Sequence, residues 1–216
     1  MRVDVSEALR YLGASSDAAT ETLVREVAAE LERALQPRFV WRVLPVERTP
    51  GGVALGGLAL PGTLAQTMLR ETRQAAILVC TLGAGFETLL RAAEARDMAH
   101  AAVLDACGSA YVEAGCDAAE REIAERFPAR FLTDRFSPGY GDLPLSLQPE
   151  LLTLTDAQRR LGVTLTESLL MVPSKSVTAI VGVCDTPQPA RVRGCAHCAL
   201  NASCNFRKRG TTCGAS

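Results

Sequence analysis

The chain has almost no net charge, no long apolar run and no internal repeat. Its 23 lysines and arginines nearly balance 24 aspartates and glutamates, leaving −1, so there is no global electrostatic reason to expect nucleic acid or an anionic membrane as partner. The longest apolar runs fall far short of the roughly 20 residues that a bilayer span needs. The opening residues Met1-Arg2-Val3-Asp4-Val5-Ser6-Glu7 lack the apolar stretch of a secretory signal. A cytoplasmic protein is therefore expected, with no nucleic acid and no membrane among its partners. A dinucleotide-binding turn is lacking too. Gly83-Ala84-Gly85 stands between an apolar run and a helical pattern, but Glu87, Thr88 and Leu89 occupy the neighbourhood of the third glycine, and a helix-start turn is the better reading.

What is present is a chain of 216 residues, 48% of them apolar, long enough for one sizeable folded domain plus an appendage. It also has eight cysteines, in a compartment where structural disulfides are uncommon. Cys80, Cys107, Cys116 and Cys184 sit in apolar strand or helix contexts and read as buried, inert thiols. The other four lie near the end of the sequence and need a different explanation.

Residues 5–12 and 17–35 read as helices, the second capped by Ser16 or Asp17 and striped by Leu23, Val27, Leu31 and Leu35. Pro37 ends it, and residues 38–46 have strand composition. A turn at 49–52, a short apolar strand, the Pro61-Gly62 break and a helix over about 63–71 follow. The almost continuously apolar 75–82 predicts a buried strand. From 86 to 127 the pattern is helical with a break near Asp97, and Ala106, Ala110, Ala114 and Ala118 form a small-residue row suited to close packing. Strand at 131–133, a loop at 137–141, a helix over 150–160 ending at Gly162, and strands at 169–172 and 176–184 complete the body.

The segment Arg135-Phe136-Ser137-Pro138-Gly139-Tyr140-Gly141-Asp142-Leu143-Pro144 gathers one fixed cation, two glycines, two prolines and two aromatic rings. Glycine lets a backbone approach a ligand, and proline pre-sets a turn. Arg135 can hold a carboxylate bidentately, and Tyr140 can offer its ring face to a cation such as a sulfonium. The segment is thus a candidate site for a small ligand carrying both a carboxylate and a positive charge. By composition alone, a tight turn between strand and helix fits at least as well.

Arg135, Ser137, Gly139 and Tyr140 also match in order the S-adenosylmethionine-binding motif (Arg, three residues, Gly-Tyr, a nearby Pro) of a known family, and the segment resembles that part of the activation (reactivation) domain of vitamin B12-dependent methionine synthase. The second block, Leu161-Gly162-Val163-Thr164-Leu165-Thr166-Glu167-Ser168 with Met171, Pro173 and Ser176-Val177, resembles the same family, and the layout of 75–127 is similar. The resemblance implies an α+β fold with helices packed on a curved, mostly antiparallel sheet. It also implies S-adenosylmethionine as methyl donor, a cobalamin to be restored from its oxidised cob(II) state, and an electron donor. No general base is assigned, because the cofactor carries the bond-making chemistry. The chain has only His100 and His197 and no Asp-x-His-x-x-Gly cobalamin motif. The implied role is therefore a stand-alone activation subunit, a methyltransferase component acting in trans on a cobalamin-binding methionine synthase subunit or another corrinoid protein. The family holds the ligand's amino group with an acidic residue near the domain's start, and no equivalent is evident here. Glu113 and Asp117, one turn apart on the long helix, are either acidic lining or an exposed face. Lys175, between Ser174 and Ser176, can bind a phosphate of the cobalamin tail or occupy an exposed turn.

Composition changes beyond Pro187 and Pro189, which divides the chain into an activation-like domain at 1–186 and a Cys-rich tail at 187–216. From Arg191 to Ser216 there are five basic residues and no acidic ones, a basic appendage on an acidic body. Cys195, Cys198, Cys204 and Cys213, with two, five and eight residues between them, can wrap one metal centre whose binding supplies the segment's folding energy. Zinc and an iron–sulfur cluster both suit four thiolates, and His197 can replace one ligand. A cluster could pass an electron to the cobalamin. An alternative function follows, a non-catalytic metal-binding or electron-transfer adaptor that caps a corrinoid protein.

Overall fold

The computed structural model describes residues 1–13 and 17–188. Helix α1 (Val5–Leu12) begins where the Asp4 carboxylate accepts the amides of Ser6 and Glu7, and stops at Gly13 in the left-handed region. Helix α2 (Ala18–Ala34) is capped by Asp17, which accepts the Thr20 amide at 2.8 Å. Its buried stripe is Val24, Val27, Ala28 and Leu31. Leu23 is only half-buried and Leu35 has already left the helix, so the stripe is rotated slightly from the one expected.

Strands β1 (Arg38–Thr49), β2 (Gly52–Leu55) and β3 (Leu58–Leu60) form an antiparallel meander. The single apolar strand expected after the 49–52 turn is thus a hairpin, folded at Gly56 and Gly57. Helix α3 (Thr63–Met68) leads to β4 (Thr72–Thr81), then to α4 (Ala84–Glu94) and the 29-residue α5 (Met98–Arg126). The break near Asp97 is a cap, since that carboxylate accepts the Ala99 amide at 2.8 Å. After β5 (Phe131–Leu132) come a 3-10 turn (Leu145–Leu147), α6 (Gln148–Thr155) and α7 (Ala157–Leu161). The last two replace the one helix expected over 150–160, because Asp156 adopts a left-handed conformation between them. A small separate hairpin, β6 (Thr164–Leu165) with β7 (Met171–Val172), precedes β8 (Ser176–Cys184).

The main sheet is open, with order β3-β2-β1-β4-β8-β5, and every pairing in it is antiparallel. Helices and sheet therefore combine as expected. Strand β4 lies between β1 and β8, with Val40 opposite Val79 and Ile77 opposite Ile180. Both faces of β4 are covered, which explains its continuous apolar run. Leu78 and Cys80 join α1, α2, α4 and α5 in one core, whereas Ala75 and Ile77 join α3 and α6 in another. Each fully buried Ile, Leu or Val contributes roughly 1.5–3 kcal/mol.

Helix α5 spans the first core. Ala106 and Ala110 of its small-residue row are buried, but Ala114 and Ala118 are only half-buried. The closest approaches belong instead to glycines. A β-carbon on Gly108 would lie 2.4 Å from the Phe86 ring, and one on Gly115 would lie 2.5 Å from the Cys80 sulfur. Polar contacts fix the same helix, with the Trp41 indole donating to Glu122 at 3.0 Å and the Tyr111 hydroxyl to the Leu35 carbonyl at 3.3 Å. No described helix is long and apolar enough to cross a membrane.

Candidate functional site

The segment 135–144 leaves the sheet edge and crosses to its other face. Phe136 extends β5 by an antiparallel bridge to Ile180, with N–O distances of 3.1 and 2.8 Å. Successive side chains on an extended strand point to opposite faces. Phe136 accordingly enters the core with Ile180, Leu60 and Leu143, and Arg135 points the other way, onto α5.

There the guanidinium meets three carboxylates. It donates to Asp117 Oδ1 at 2.6 Å, Glu120 Oε1 at 2.7 Å and Glu113 Oε2 at 2.5 Å. The arginine side chain is 13% exposed. Burial works against its charge, but Glu120 and Glu113 outweigh that and hold its pKa above the ordinary arginine value. Glu113 and Asp117, expected as acidic lining or an exposed face, are partly exposed, at 34% and 49%, and bind the motif's arginine directly. Glu120 is a third member that the helical spacing did not single out. All three fall on one side of α5, at steps of four and three residues.

Beyond Phe136 the chain makes a compact loop. Ser137, half-buried, offers its carbonyl to the Tyr140 amide at 3.1 Å. The Gly139 amide donates to the Leu143 carbonyl at 2.8 Å, and the Leu143 amide to the Tyr140 carbonyl at 3.1 Å. Gly139 has φ +85°, which a side chain would strain, and it is exposed together with Tyr140. The tight turn and the exposed loop anticipated from composition are therefore both present. Asp142 fastens the loop to the start of α3. Its carboxylate accepts the Thr63 amide at 2.6 Å, the Thr63 hydroxyl at 2.8 Å and the Leu64 amide at 2.9 Å. These donors lower its pKa to about 2.

Three cavities lie elsewhere on the described residues. A cavity of about 410 Å³ is lined by Arg48, Thr63, Gln66 and Arg70 among others. A second of about 530 Å³ lies between α6, α7 and β6, and a third of about 340 Å³ between α2, α4 and α5. None is lined by Arg135, Ser137, Gly139 or Tyr140. Gly139 and Tyr140 are exposed and Ser137 is half-buried, whereas the Arg135 guanidinium is largely covered against α5.

Lys175 is committed within the fold. Its ammonium lies 2.9 Å from Asp105 and 2.8 Å from the Ser109 hydroxyl, over the Phe86 ring. The amide of Ser174 donates to Glu87 at 2.7 Å, so the turn before β8 is tied to both α4 and α5. Gly83 starts α4, its amide bonded to the Thr81 hydroxyl, in keeping with a helix-start turn. Cys80, Cys107, Cys116 and Cys184 are all buried. Desolvation pushes the Cys107 thiol up to about 12, and contact with Cys80 together with burial raises Cys116. Among the described residues no group of three or more His, Cys, Asp or Glu side chains is arranged to hold a metal. Cys195, Cys198, Cys204 and Cys213 lie outside the described residues.

A family model described as the vitamin B12 dependent methionine synthase activation domain matches residues 76–192, more than half of the chain. Among solved structures, the crystal structure of the MetH reactivation domain bound to AdoHcy aligns with a TM-score of 0.64 at 17% identity, covering 94% of this chain and 77% of that one. That likeness establishes a shared fold. No curated protein matches the chain.

Proposed function

The chain belongs to the vitamin B12-dependent methionine synthase activation domain family, and from that premise we propose that it binds S-adenosylmethionine through the segment that carries Arg135, Ser137, Gly139 and Tyr140. It does so as a cytoplasmic activation subunit, in trans, for a cobalamin carried by a methionine synthase subunit or another corrinoid protein. When bound, S-adenosylmethionine supplies the methyl group for reductive methylation of the partner's cob(II)alamin, with the electron coming from a separate donor.

The observation that carries this reading is the arginine ringed by carboxylates, followed directly by the exposed Gly139-Tyr140 loop. One positive charge faces three negative ones. S-adenosylmethionine bears one carboxylate and two cations (ammonium and sulfonium), so its net +1 suits an anionic rim that contains one fixed cation. Exposed loop amides and carbonyls, with the Tyr140 ring, offer further polar and cation–π contacts. The MetH reactivation domain, similar in fold, is described with AdoHcy, the demethylated form of the same ligand. The family's partner is a cobalamin-binding module, and the absence of an Asp-x-His-x-x-Gly motif from these 216 residues favours a cobalamin held elsewhere.

The protein's contribution is placement. Holding the methyl carbon against an acceptor supplies most of the acceleration that proximity can give, and no side chain here is asked to move a proton. The test mixes the chain with an oxidised cobalamin subunit, S-adenosylmethionine and a one-electron reductant, and follows the visible spectrum. Conversion to the methylated form that needs this chain supports the role. No chain-dependent conversion argues against it.

The cysteine tail favours a second component. Four thiolates within nineteen residues are proposed to bind zinc or an iron–sulfur cluster, the basis of the alternative adaptor role. A brown anaerobic preparation with broad visible absorbance would identify a cluster, and a colourless protein with stoichiometric zinc a structural knot. Cys198→Ser should abolish either signal and leave S-adenosylmethionine binding intact.

A further inference from the structure

Asp142 lies within the segment 135–144 but is not one of the four motif residues, and it makes the segment's longest-range bonds. It reaches a turn 79 residues earlier in sequence and there satisfies two backbone amides and one hydroxyl. Helix α3 has no side-chain cap of its own, so this distant carboxylate takes the place that a local Asp or Ser normally fills.

The fit is close. A β-carbon on Gly62 would lie 2.6 Å from the Asp142 carboxylate carbon and 2.8 Å from its backbone oxygen, and Gly62 has φ +92°. Only glycine lets the two chains approach in this way. On the other side of Asp142, the loop closes on itself through the Gly139–Leu143 and Leu143–Tyr140 bonds. One carboxylate therefore fixes both the end of the loop and the corner on which it rests.

We infer that Asp142 is a positioning residue, which sets where Gly139 and Tyr140 stand by latching the 137–143 loop to the Gly62–Leu64 corner. Its bearing on ligand affinity rests on the reading of 135–140 as the S-adenosylmethionine segment. Gly62 is the other half of the latch, because any side chain there excludes the Asp142 carboxylate.

The test uses the full chain and the variants Asp142→Ala, Asp142→Asn, Gly62→Ala and Asp142→Ala/Gly62→Ala, at a temperature where circular dichroism shows each to be folded. Hydrogen exchange reads the loop without ligand. Peptides covering 137–144 should exchange faster in Asp142→Ala and Gly62→Ala, and peptides of β4 and β8 should not. Calorimetry with S-adenosylmethionine should show affinity weakened about tenfold in either single variant. The double variant should be no weaker than the singles, because both break one latch. Asn, which keeps an acceptor oxygen, should recover part of the loss. Unchanged loop exchange in both single variants would overturn the latch. Faster loop exchange with unchanged affinity, or strictly additive losses, would overturn the positioning role. If the wild-type chain fails to bind S-adenosylmethionine while the loop opens in the variants, the latch stands and the ligand reading falls.

Discussion

Replacing Arg135 by Ala should destabilise the folded chain substantially, whether or not a ligand is present. The guanidinium is 13% exposed, and its partners Glu120, Glu113 and Asp117 are 22%, 34% and 49% exposed. The two more exposed pairs are screened by solvent and contribute about 0.5 kcal/mol each. The Glu120 bond, between two largely covered groups, contributes about 1.5–3 kcal/mol. Removing the cation also leaves three carboxylates on one side of α5, a repulsion of a few tenths of a kcal/mol per pair, roughly. The carboxylates can hydrate once the arginine is gone, so the larger penalty of a fully buried orphan charge does not apply. The sum is about 3–5 kcal/mol, or a fall in Tm of roughly 6–20 °C for a chain of this size. Urea titration of wild type, Arg135→Ala and Arg135→Lys measures it, and lysine, lacking the planar fork, should recover only part. A loss below about 1 kcal/mol for Arg135→Ala would refute the claim that these ion pairs hold the sheet edge to α5.

Gly108→Ala should also destabilise, although alanine is the better helix former by about 1 kcal/mol. Its β-carbon would stand 2.4 Å from the Phe86 ring, an overpacking that costs roughly 1–3 kcal/mol or more, and thermal melts should show a lower Tm. Thiol titration of the native chain should label at most four of the eight cysteines, since Cys80, Cys107, Cys116 and Cys184 are buried. All eight should react after denaturation, and a fifth fast thiol in the native state would contradict the packing. Asp142 should give the loop a pH dependence with a defined sign. Its folded pKa, about 2, lies below the ordinary 3.8. Its contribution is therefore fully present above about pH 4 and is lost as pH falls through about 2. Hydrogen exchange of 137–144, compared between wild type and Asp142→Asn, should differ above that window and converge below it.

Local signals made much of the fold legible. Asp17 announces its helix because a cap acts within three residues, Asp97 marks a break in the helical pattern, and the apolar run of β4 announces burial on both faces. The β2–β3 hairpin was hidden because Leu55-Gly56-Gly57-Leu58 keeps its turn inside one apolar stretch. The split of 150–160 was hidden because Asp156 carries no mark of a left-handed residue beyond its type. At the candidate site, the order of Arg135, Ser137, Gly139 and Tyr140 could be read directly. The partners of Arg135 could not, since only the docking of β5 on α5 brings Glu113, Asp117 and Glu120 to it. Asp142 was equally silent, because its donors lie 79 residues away. Such contacts leave no periodicity to detect.

The most direct test of the central claim is isothermal calorimetry of the wild-type chain with S-adenosylmethionine. Saturable one-to-one binding, weakened roughly 3- to 30-fold in the exposed-loop variant Tyr140→Ala by loss of a cation–π contact, is the expected result. No heat of binding at millimolar ligand, from a chain shown to be folded, would contradict the account.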